Sequence, residues 1–183
     1  MNEIKLYDEM VSFFEKANEK FITSDRSLIL SRASERSLCG ALMQRLCQCL
    51  PEKYSSYHVD VEYNRNLDGK IKTIINSELS VIKITCDLIV HSRGENIEQD
   101  NLICLEMKKY NRPNMEKDKD RERVRVLTKD SYDDVWSYDG KTLPEHVCRY
   151  VLGIYYEIDI RLRMILVEYY SKGKFVKRYF LNF

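Results

Sequence analysis

Two short apolar runs constrain the fold of this chain more than any other feature of its sequence. CDLIVH covers residues 86–91 and LICLEMK covers residues 102–108, with the polar stretch SRGENIEQDN between them. Runs of this length that are almost continuously apolar are typical of strands covered on both faces of a sheet. We therefore predict that the two runs pair antiparallel at the centre of a sheet.

Helical and strand-like patterns precede this pair. Apolar residues at helical spacing predict a helix over residues 3–21 and a second helix from about Ser34 to Leu50, which Pro51 ends. Alternation of apolar and polar residues in YHVDVEYNRN predicts a half-buried strand. Residues 70–85 are expected to hold one or two further extended segments, and LDG at 67–69 is typical of a turn.

The C-terminal half predicts one helix followed by strands. Pro113 opens a highly charged helix that runs to about Lys129, since proline is tolerated in the first helical turn. DDVWSYDGK is a turn-rich connection, YVLGIYYEID is another central strand, and RMILVEYYSKGKFVKRYFL is a closing hairpin around Gly173. This order predicts an α/β (mixed α+β) fold with a central mixed sheet flanked by helices. We expect a single domain over residues 1–183, with the N-terminal helix packed on its core.

The composition and the N-terminus indicate a protein that works in the cytoplasm. Hydrophobic residues make up 44% of the chain and charged residues 32%, as in soluble globular proteins. No apolar run reaches the roughly 18 residues of a membrane span, and the start MNEIKLYDEM lacks the apolar stretch of a signal peptide. We therefore expect an intracellular protein with no membrane partner. A net charge of +1 excludes a surface that is basic throughout, but it permits a local basic face.

The cysteines and histidines do not indicate a zinc site. None of the six cysteines forms a CxxC pair, and the three histidines are not at zinc-ligand spacing. Most of the cysteines fall within apolar stretches, so we expect reduced, buried, structural thiols.

Three carboxylates and one lysine stand out because of where they lie. Asp87 opens one apolar run and Glu106 ends the other. Side chains alternate along a strand, so Glu106 and Lys108 point to one face while Met107 points to the other. Antiparallel pairing of the two runs would bring Asp87 close to Glu106. Glu35 begins the apolar face of the second helix, where the positive end of the helix dipole favours an acid.

This combination of residue types has a chemical implication. Two or three carboxylates that converge on one point repel each other unless a cation neutralises them. Oxygen ligands of this kind suit Mg²⁺ or Mn²⁺, with waters completing the octahedron. A neighbouring lysine adds a positive charge that can orient a water and stabilise developing charge on a phosphate. These parts together predict a phosphodiester hydrolase.

The arrangement of these residues resembles the PD-(D/E)xK nuclease superfamily, which has the restriction-endonuclease-like fold. The resemblance rests on Asp87, on the segment LICLEMKK with Glu106-x-Lys108, and on a preceding helix that bears Glu35. The resemblance spans about residues 30–160 in the order of elements. It implies a central mixed sheet flanked by helices, with Asp87 and Glu106 as ligands of Mg²⁺ or Mn²⁺ and Lys108 as the catalytic lysine that positions the attacking water. It further implies Glu35 as the helix acid that can complete the metal site, and the backbone carbonyl of Met107 as an extra ligand.

Each candidate residue also has a purely structural interpretation. Glu106 and Lys108 could belong to a strand end that reaches solvent, where an ion pair has little energetic value. Asp87 could cap the start of its strand through backbone hydrogen bonds, and Glu35 could satisfy only the helix dipole. Cys86 stands where the family name expects proline, which weakens the resemblance slightly.

The charged helix after Pro113 has two interpretations as well. Acidic and basic residues alternate in KKYNRPNMEKDKDRERVRVLTK, which is typical of a solvated helix with i,i+4 ion pairs. Alternatively, its basic residues contact a phosphate backbone beside the site. The candidates for this nucleic-acid contact are Lys109, Arg112, Arg121, Arg123 and Arg125.

The leading hypothesis from the sequence is a Mg²⁺-dependent nuclease that hydrolyses phosphodiester bonds of DNA. Two alternatives stay open: a non-catalytic binding or assembly subunit that keeps the nuclease-like scaffold, and an RNA nuclease or nucleotide phosphohydrolase. No separate recognition domain is visible in the sequence. Specificity is therefore expected from loops such as 66–85 and 130–145, from a homodimer, or from a partner protein.

Overall fold

The computed structural model describes residues 3–63, 73–75, 81–83, 85–130 and 149–183. The helices of this part are α1 (Glu3–Ser24), α2 (Arg26–Leu30), α3 (Glu35–Cys49) and α4 (Asn114–Leu127), with a short 3₁₀ turn at Glu52–Tyr54. The strands are β1 (His58–Val61), β2 (Thr73–Ile75), β3 (Val81–Lys83), β4 (Leu88–His91), β5 (Asn101–Lys109), β6 (Leu152–Asp159), β7 (Met164–Ser171) and β8 (Lys174–Asn182).

Six of these strands form one mixed sheet in the order β1-β4-β5-β6-β7-β8, while β2 and β3 pair separately. β4 and β5 are antiparallel with Leu88 opposite Leu105, and both lie inside the sheet, as the two apolar runs predict. β5 and β6 are parallel, and the other neighbouring pairs are antiparallel. The prediction of a central mixed sheet flanked by helices is therefore confirmed.

One face of the sheet carries the main hydrophobic core. α1 covers this face with a stripe of buried side chains: Leu6, Met10, Phe13, Phe14, Ala17 and Phe21. The rings of Phe14 and Phe21 meet the ring of Tyr156 edge-on, with ring centroids 6.3 and 6.4 Å away. Full burial of a large apolar side chain contributes roughly 1.5–3 kcal/mol, so this stripe fixes α1 against the sheet.

α3 packs on the same face and brings its first turn to the end of β5. Ser34 caps the helix by accepting a hydrogen bond from the N–H of Ser37 at 3.1 Å. Further along, the Cys39 thiol lies 3.7 Å from the sulfur of Met107. Met107 is fully buried in this core, which places Glu106 and Lys108 on the opposite face of β5.

α4 covers that opposite face and approaches β6 closely at Gly153. A Cβ atom at Gly153 would lie 2.5 Å from Val124 Cγ1 and 2.7 Å from Thr128 Cγ2. Glycine is therefore required at this position for the observed helix–strand spacing. The smaller core on this side also contains Cys86 and Cys104.

Element boundaries agree with most of the sequence predictions. The first helix extends to Ser24 rather than residue 21, and the charged helix ends at Leu127 rather than Lys129. The closing hairpin is present, with Gly173 at a φ of +71° in its turn. The turn predicted at 67–69, the connection DDVWSYDGK and Cys148 lie outside the described residues.

None of the helices in the described part of the chain is long and apolar enough to cross a membrane. Four of the five cysteines there are buried, and Cys47 is exposed.

Candidate active site

Asp87 and Glu106 meet where β4 begins and β5 approaches its end. The β4–β5 register places Leu88 opposite Leu105, so Asp87 comes opposite Glu106. Asp87 Oδ2 accepts a hydrogen bond from the backbone N–H of Met107 at 2.8 Å, and the charge of Asp87 acts on the Glu106 carboxyl group. The structure thus brings the first two predicted site residues together.

Burial raises the pKa of both carboxyl groups. Desolvation and then the charge of Asp87 hold the pKa of Glu106 well above its ordinary value, and the attraction of Arg123 offsets this only in part. Desolvation also raises the pKa of Asp87, against the N–H of Met107 and the charge of Lys108. Such a pair titrates as a unit and retains a proton at pH values where exposed carboxylic acids are ionised.

Lys108 lies on the same face and is paired with an acid of α4. Its Nζ is 2.8 Å from Asp120 Oδ2, and the two side chains are only 14% and 6% exposed. Burial lowers the pKa of Lys108, but the hydrogen bond and charge of Asp120, then the charges of Glu35 and Asp87, leave the pKa above its ordinary value. Lys108 is therefore a fixed cation at neutral pH.

Arg123 completes a crossed pair of ionic contacts between α4 and β5. Its Nη1 donates to Glu106 Oε1 at 2.7 Å and lies 3.4 Å from Asp120 Oδ1. Asp120 and Arg123 lie three residues apart on α4, and Glu106 and Lys108 lie two residues apart on β5. Each charge on the helix is therefore paired with the opposite charge on the strand. Buried ions are tolerated only when paired in this way, so the contacts hold α4 over the site.

Glu35 lies at one end of this arrangement. As the first residue of α3, it accepts hydrogen bonds at Oε1 from the backbone N–H of Lys109 at 2.9 Å and from Arg112 Nε at 3.3 Å. No hydrogen bond within the described residues joins Glu35 to Asp87 or Glu106. Glu35 thus anchors the end of β5 to α3, and its negative charge acts on Lys108.

No family model, curated protein or solved structure matches this chain. Its function therefore has to follow from the chemistry of its own side chains.

Three carboxylates (Asp87, Glu106 and Asp120) lie close to two cations (Lys108 and Arg123), which leaves one negative charge to be balanced by a proton or a cation.

Two adjoining carboxylates fit a small, hard divalent cation. Mg²⁺ is usually bound by one or two carboxylates, with waters and substrate phosphates completing its octahedron. Asp87 and Glu106 provide that pair, with oxygen donors that also suit Mn²⁺. Among the residues that the structure describes, no cluster of three or more His, Cys, Asp or Glu side chains is arranged to hold a metal ion. The fit is therefore to a site with two carboxylates, without Glu35 as a third.

The three predicted nucleic-acid contacts on α4 all have carboxylate partners. Arg121 Nε donates to Glu168 Oε2 at 2.8 Å, and Arg125 Nε donates to Glu122 Oε2 at 2.7 Å. Arg123 is held by Glu106, as described above. The guanidinium groups of Arg121 and Arg123 are therefore directed mainly to the sheet.

The other two predicted contacts follow β5. Lys109 Nζ donates to the backbone oxygen of Arg32 at 3.2 Å, and Arg112 pairs with Glu35 with half of its side chain exposed. Lys109 is the last residue of β5, and Arg112 follows in the turn after Tyr110.

The interpretation of α4 as a solvated helix with i,i+4 ion pairs is wrong for its inner face. The ion pairs within the helix have i,i+3 spacing, as in Arg121 with Asp118 and Arg125 with Glu122. Lys117 is buried, and its Nζ is 3.0 Å from Glu157 Oε1 on β6. Glu157 also accepts a hydrogen bond from the Tyr155 hydroxyl at 2.6 Å. A layer of paired charges therefore lies between α4 and the sheet.

Asp120 belongs to the site but is not singled out by any pattern in the sequence. It lies in the run KDKDRER, where its charge resembles that of its neighbours. The buried positions of α4 include Lys117, Asp120, Val124 and Leu127, at spacings of three, four and three residues. Extending the apolar stripe of Val124 and Leu127 back along the helix would have identified the two charged positions as inward-facing.

Proposed function

We propose that this protein is a Mg²⁺- or Mn²⁺-dependent nuclease that hydrolyses phosphodiester bonds of DNA. The observation that carries the proposal is the β4–β5 register, which brings Asp87 opposite Glu106 with Lys108 on the same face of β5. Two adjoining carboxylates form a ready site for a divalent cation, and a fixed ammonium group beside them can face a phosphate. We infer a cytoplasmic protein, with a homodimer or a partner protein contributing to specificity.

Each residue has a role in this proposal. Asp87 and Glu106 would hold the metal ion, which when bound neutralises charge on the phosphate and favours ionisation of the attacking water. Lys108 orients that water and places a positive charge near the negative charge that develops on the phosphate. Glu35 fixes the end of β5 through the N–H of Lys109, which keeps Lys108 in position. The resemblance to the PD-(D/E)xK nucleases supports the same roles.

Asp120 and Arg123 give the resting site its closed geometry. Glu106 is 1% exposed, and Lys108 forms an ion pair with Asp120. Binding of the metal ion would compete with Arg123 for Glu106, and binding of a phosphate would compete with Asp120 for Lys108. We therefore infer that substrate and metal binding weaken the contacts between α4 and β5.

Cleavage assays with two site variants test this function. Lys108→Ala and Glu106→Gln should each lower metal-dependent cleavage of plasmid and oligonucleotide DNA by about 100-fold or more, since each removes a charge that the reaction uses. Lys174→Ala removes an equivalent charge from an exposed position on β8 and should leave the rate unchanged. Circular dichroism must show that all three variants are folded.

The same assays compare substrates. DNA, RNA and free nucleotides are offered side by side with Mg²⁺ or Mn²⁺. A rate on RNA or nucleotides that exceeds the rate on DNA would change the substrate class while leaving the site residues as assigned. Full metal-dependent activity in both Lys108→Ala and Glu106→Gln would overturn the assignment itself.

One observation favours a second candidate, a non-catalytic binding or assembly subunit with this scaffold. Glu106 and Lys108 each have an ionic partner on α4, so both charges can be explained by packing alone. Calorimetry separates the two functions. The nuclease should bind Mg²⁺ or Mn²⁺ at millimolar metal and lose that binding in Asp87→Asn, whereas a scaffold subunit should bind neither ion.

A further inference from the structure

A cavity of about 460 Å³ opens at the carboxyl ends of β5 and β6. Its walls come from the segment after β5 (Tyr110 and Asn111), the end of β6 with the turn after it (Ile158–Arg161), and Arg32 between α2 and α3. β5 and β6 are parallel, and ligands of α/β proteins commonly bind outside the carboxyl ends of parallel strands. Lys109 also lines the cavity and directly follows Lys108 in the chain. The volume is within the roughly 300–1,000 Å³ typical of ligand sites.

Positive charge dominates the walls of this cavity. Arg32, Lys109 and Arg161 contribute three cations, against one acid, Asp159. Lys109 uses one of its three ammonium donors on the backbone oxygen of Arg32. Arg161 has a side chain that is 76% exposed, and its Nη2 lies at 4.0 Å from Asp159 Oδ2. The surplus of accessible cationic donors suits a phosphate group.

Tyr110 adds an aromatic surface to these cations. Tyr110 is 47% exposed, so part of its ring is open to a ligand. Lys117 Nζ lies 4.5 Å from the ring centroid and the Arg161 guanidinium lies 5.8 Å from it. Nucleobases stack readily on exposed aromatic rings and on guanidinium planes.

Asp159 provides a hydrogen-bond acceptor that a phosphate alone would not use. The residue is 5% exposed, and Oδ1 accepts the backbone N–H groups of Arg161 and Leu162 at 2.9 and 3.0 Å. Oδ2 accepts no hydrogen bond from the residues that the structure describes. A buried acceptor without a donor is costly, so a ligand that brings an N–H group would be favoured here.

We propose that this cavity binds one unpaired nucleotide of a single-stranded segment next to the scissile bond. Its phosphate contacts Lys109, Arg32 and Arg161, its base stacks against Tyr110, and an N–H group of the base donates to Asp159 Oδ2. A base within a duplex already uses these donors for pairing and cannot lie against a side-chain ring. This inference rests on the proposed function, because it takes a nucleic-acid strand as the substrate.

Fluorescence anisotropy in the presence of EDTA tests the proposal without cleavage. The probes are a labelled single strand of roughly ten nucleotides, the matching blunt duplex, and an abasic strand of the same length. The variants are Tyr110→Leu, Arg161→Gln and Asp159→Asn, and the last keeps the Oδ1 acceptor on which the turn depends. Arg178→Gln removes an arginine from an exposed position on β8 and is the matched control.

Each variant has a distinct expected result. Tyr110→Leu should weaken single-strand binding about fivefold or more through lost stacking. Arg161→Gln should reduce the slope of log K against log salt by about 0.7, and Arg178→Gln should leave it unchanged. Asp159→Asn should weaken binding of the normal strand but not of the abasic strand, although the substitution removes a negative charge.

The opposite results would overturn the proposal. The proposal is wrong if all three variants bind with the affinity of the native chain. It is also wrong if duplex and single strand bind equally well, or if Asp159→Asn binds the normal strand more tightly. If a free nucleoside monophosphate competes at micromolar concentration, the ligand of the cavity is a free nucleotide and not a nucleic-acid strand. If Lys108→Ala abolishes cleavage while the cavity variants bind normally, only the cavity proposal fails. If the cavity variants lose strand binding but the native chain never cleaves, only the nuclease assignment fails.

Discussion

At the scale of single residues, the ionised side chains around Glu106 carry a net charge of −1, which favours binding of a proton or a cation. Asp87, Glu106 and Asp120 lie together with Lys108 and Arg123 in a region that α4 shields from solvent. Burial raises the pKa of both Asp87 and Glu106, and the charge of Asp87 raises the pKa of Glu106 further, so protons compete with a cation for the pair. A divalent cation that binds there must displace these protons, so metal affinity should rise with pH.

Asp120→Asn is expected to change the pH dependence of cleavage through Lys108. The charge of Asp120 helps to keep the pKa of Lys108 above its ordinary value, whereas burial lowers it. Removing that charge should therefore lower the pKa. The positively charged lysine is present below its pKa and is lost as the pH rises through it, so the alkaline limb of the rate profile should move to lower pH.

Rate profiles between pH 7 and pH 11 measure this shift. Asp118→Asn makes the same change at an exposed position on the same helix and should leave the profile in place. An alkaline limb that stays where it is in folded Asp120→Asn would show that the ionisation of Lys108 does not control the reaction.

The strand residues of the site could be predicted from the sequence, but their partners could not. Alternation along LICLEMK is enough to place Glu106 and Lys108 on one face, and antiparallel pairing is enough to bring Asp87 to them. Asp120 could not be singled out, because its role depends on which face of α4 meets the sheet. Glu35 was predicted near the site, and its bond to the N–H of Lys109 depends on a tertiary contact that no local pattern encodes.

At the scale of elements, the packing of α4 on β6 decides whether the site is assembled. Gly153 allows this close approach, because a side chain there would meet Val124 and Thr128. α4 also contributes Asp120 and Arg123, so moving the helix outward would separate both residues from β5. The sequence correctly predicts this helix, but alternating charges predict either a solvated helix or a phosphate contact, and neither interpretation includes the buried pairs of Lys117 and Asp120.

Two glycine substitutions test the importance of this contact. Gly153→Ala should lower the free energy of unfolding by about 1–3 kcal/mol through overpacking against α4. Gly40→Ala, in α3, has nothing within 4 Å of the new Cβ atom and should raise it by about 0.5–1 kcal/mol through helix propensity. Urea unfolding of both variants gives the comparison. Equal stability of Gly153→Ala and the native chain would show that α4 does not pack on β6 as closely as described.

At the scale of the whole molecule, the mixed sheet could be predicted from the order of helices and strands along the chain. Two apolar runs with a polar connection of ten residues pair antiparallel, whereas β5 and β6 are separated by α4 and run parallel. The cavity could not be predicted, because Arg32, Tyr110 and Asp159 come from three distant segments of the chain. Loops 66–85 and 130–145, to which the sequence analysis assigned specificity, lie largely outside the described residues.

The location of a bound metal ion tests the central claim most directly. Crystals grown or soaked with Mn²⁺ provide an anomalous signal that identifies the ion without any assumption about activity. We predict one strong anomalous peak between the carboxylates of Asp87 and Glu106, and its loss in Asp87→Asn. A native protein saturated with Mn²⁺ that shows no peak there, with Glu106 still bound to Arg123, would contradict the assignment of this site as a metal-dependent nuclease centre.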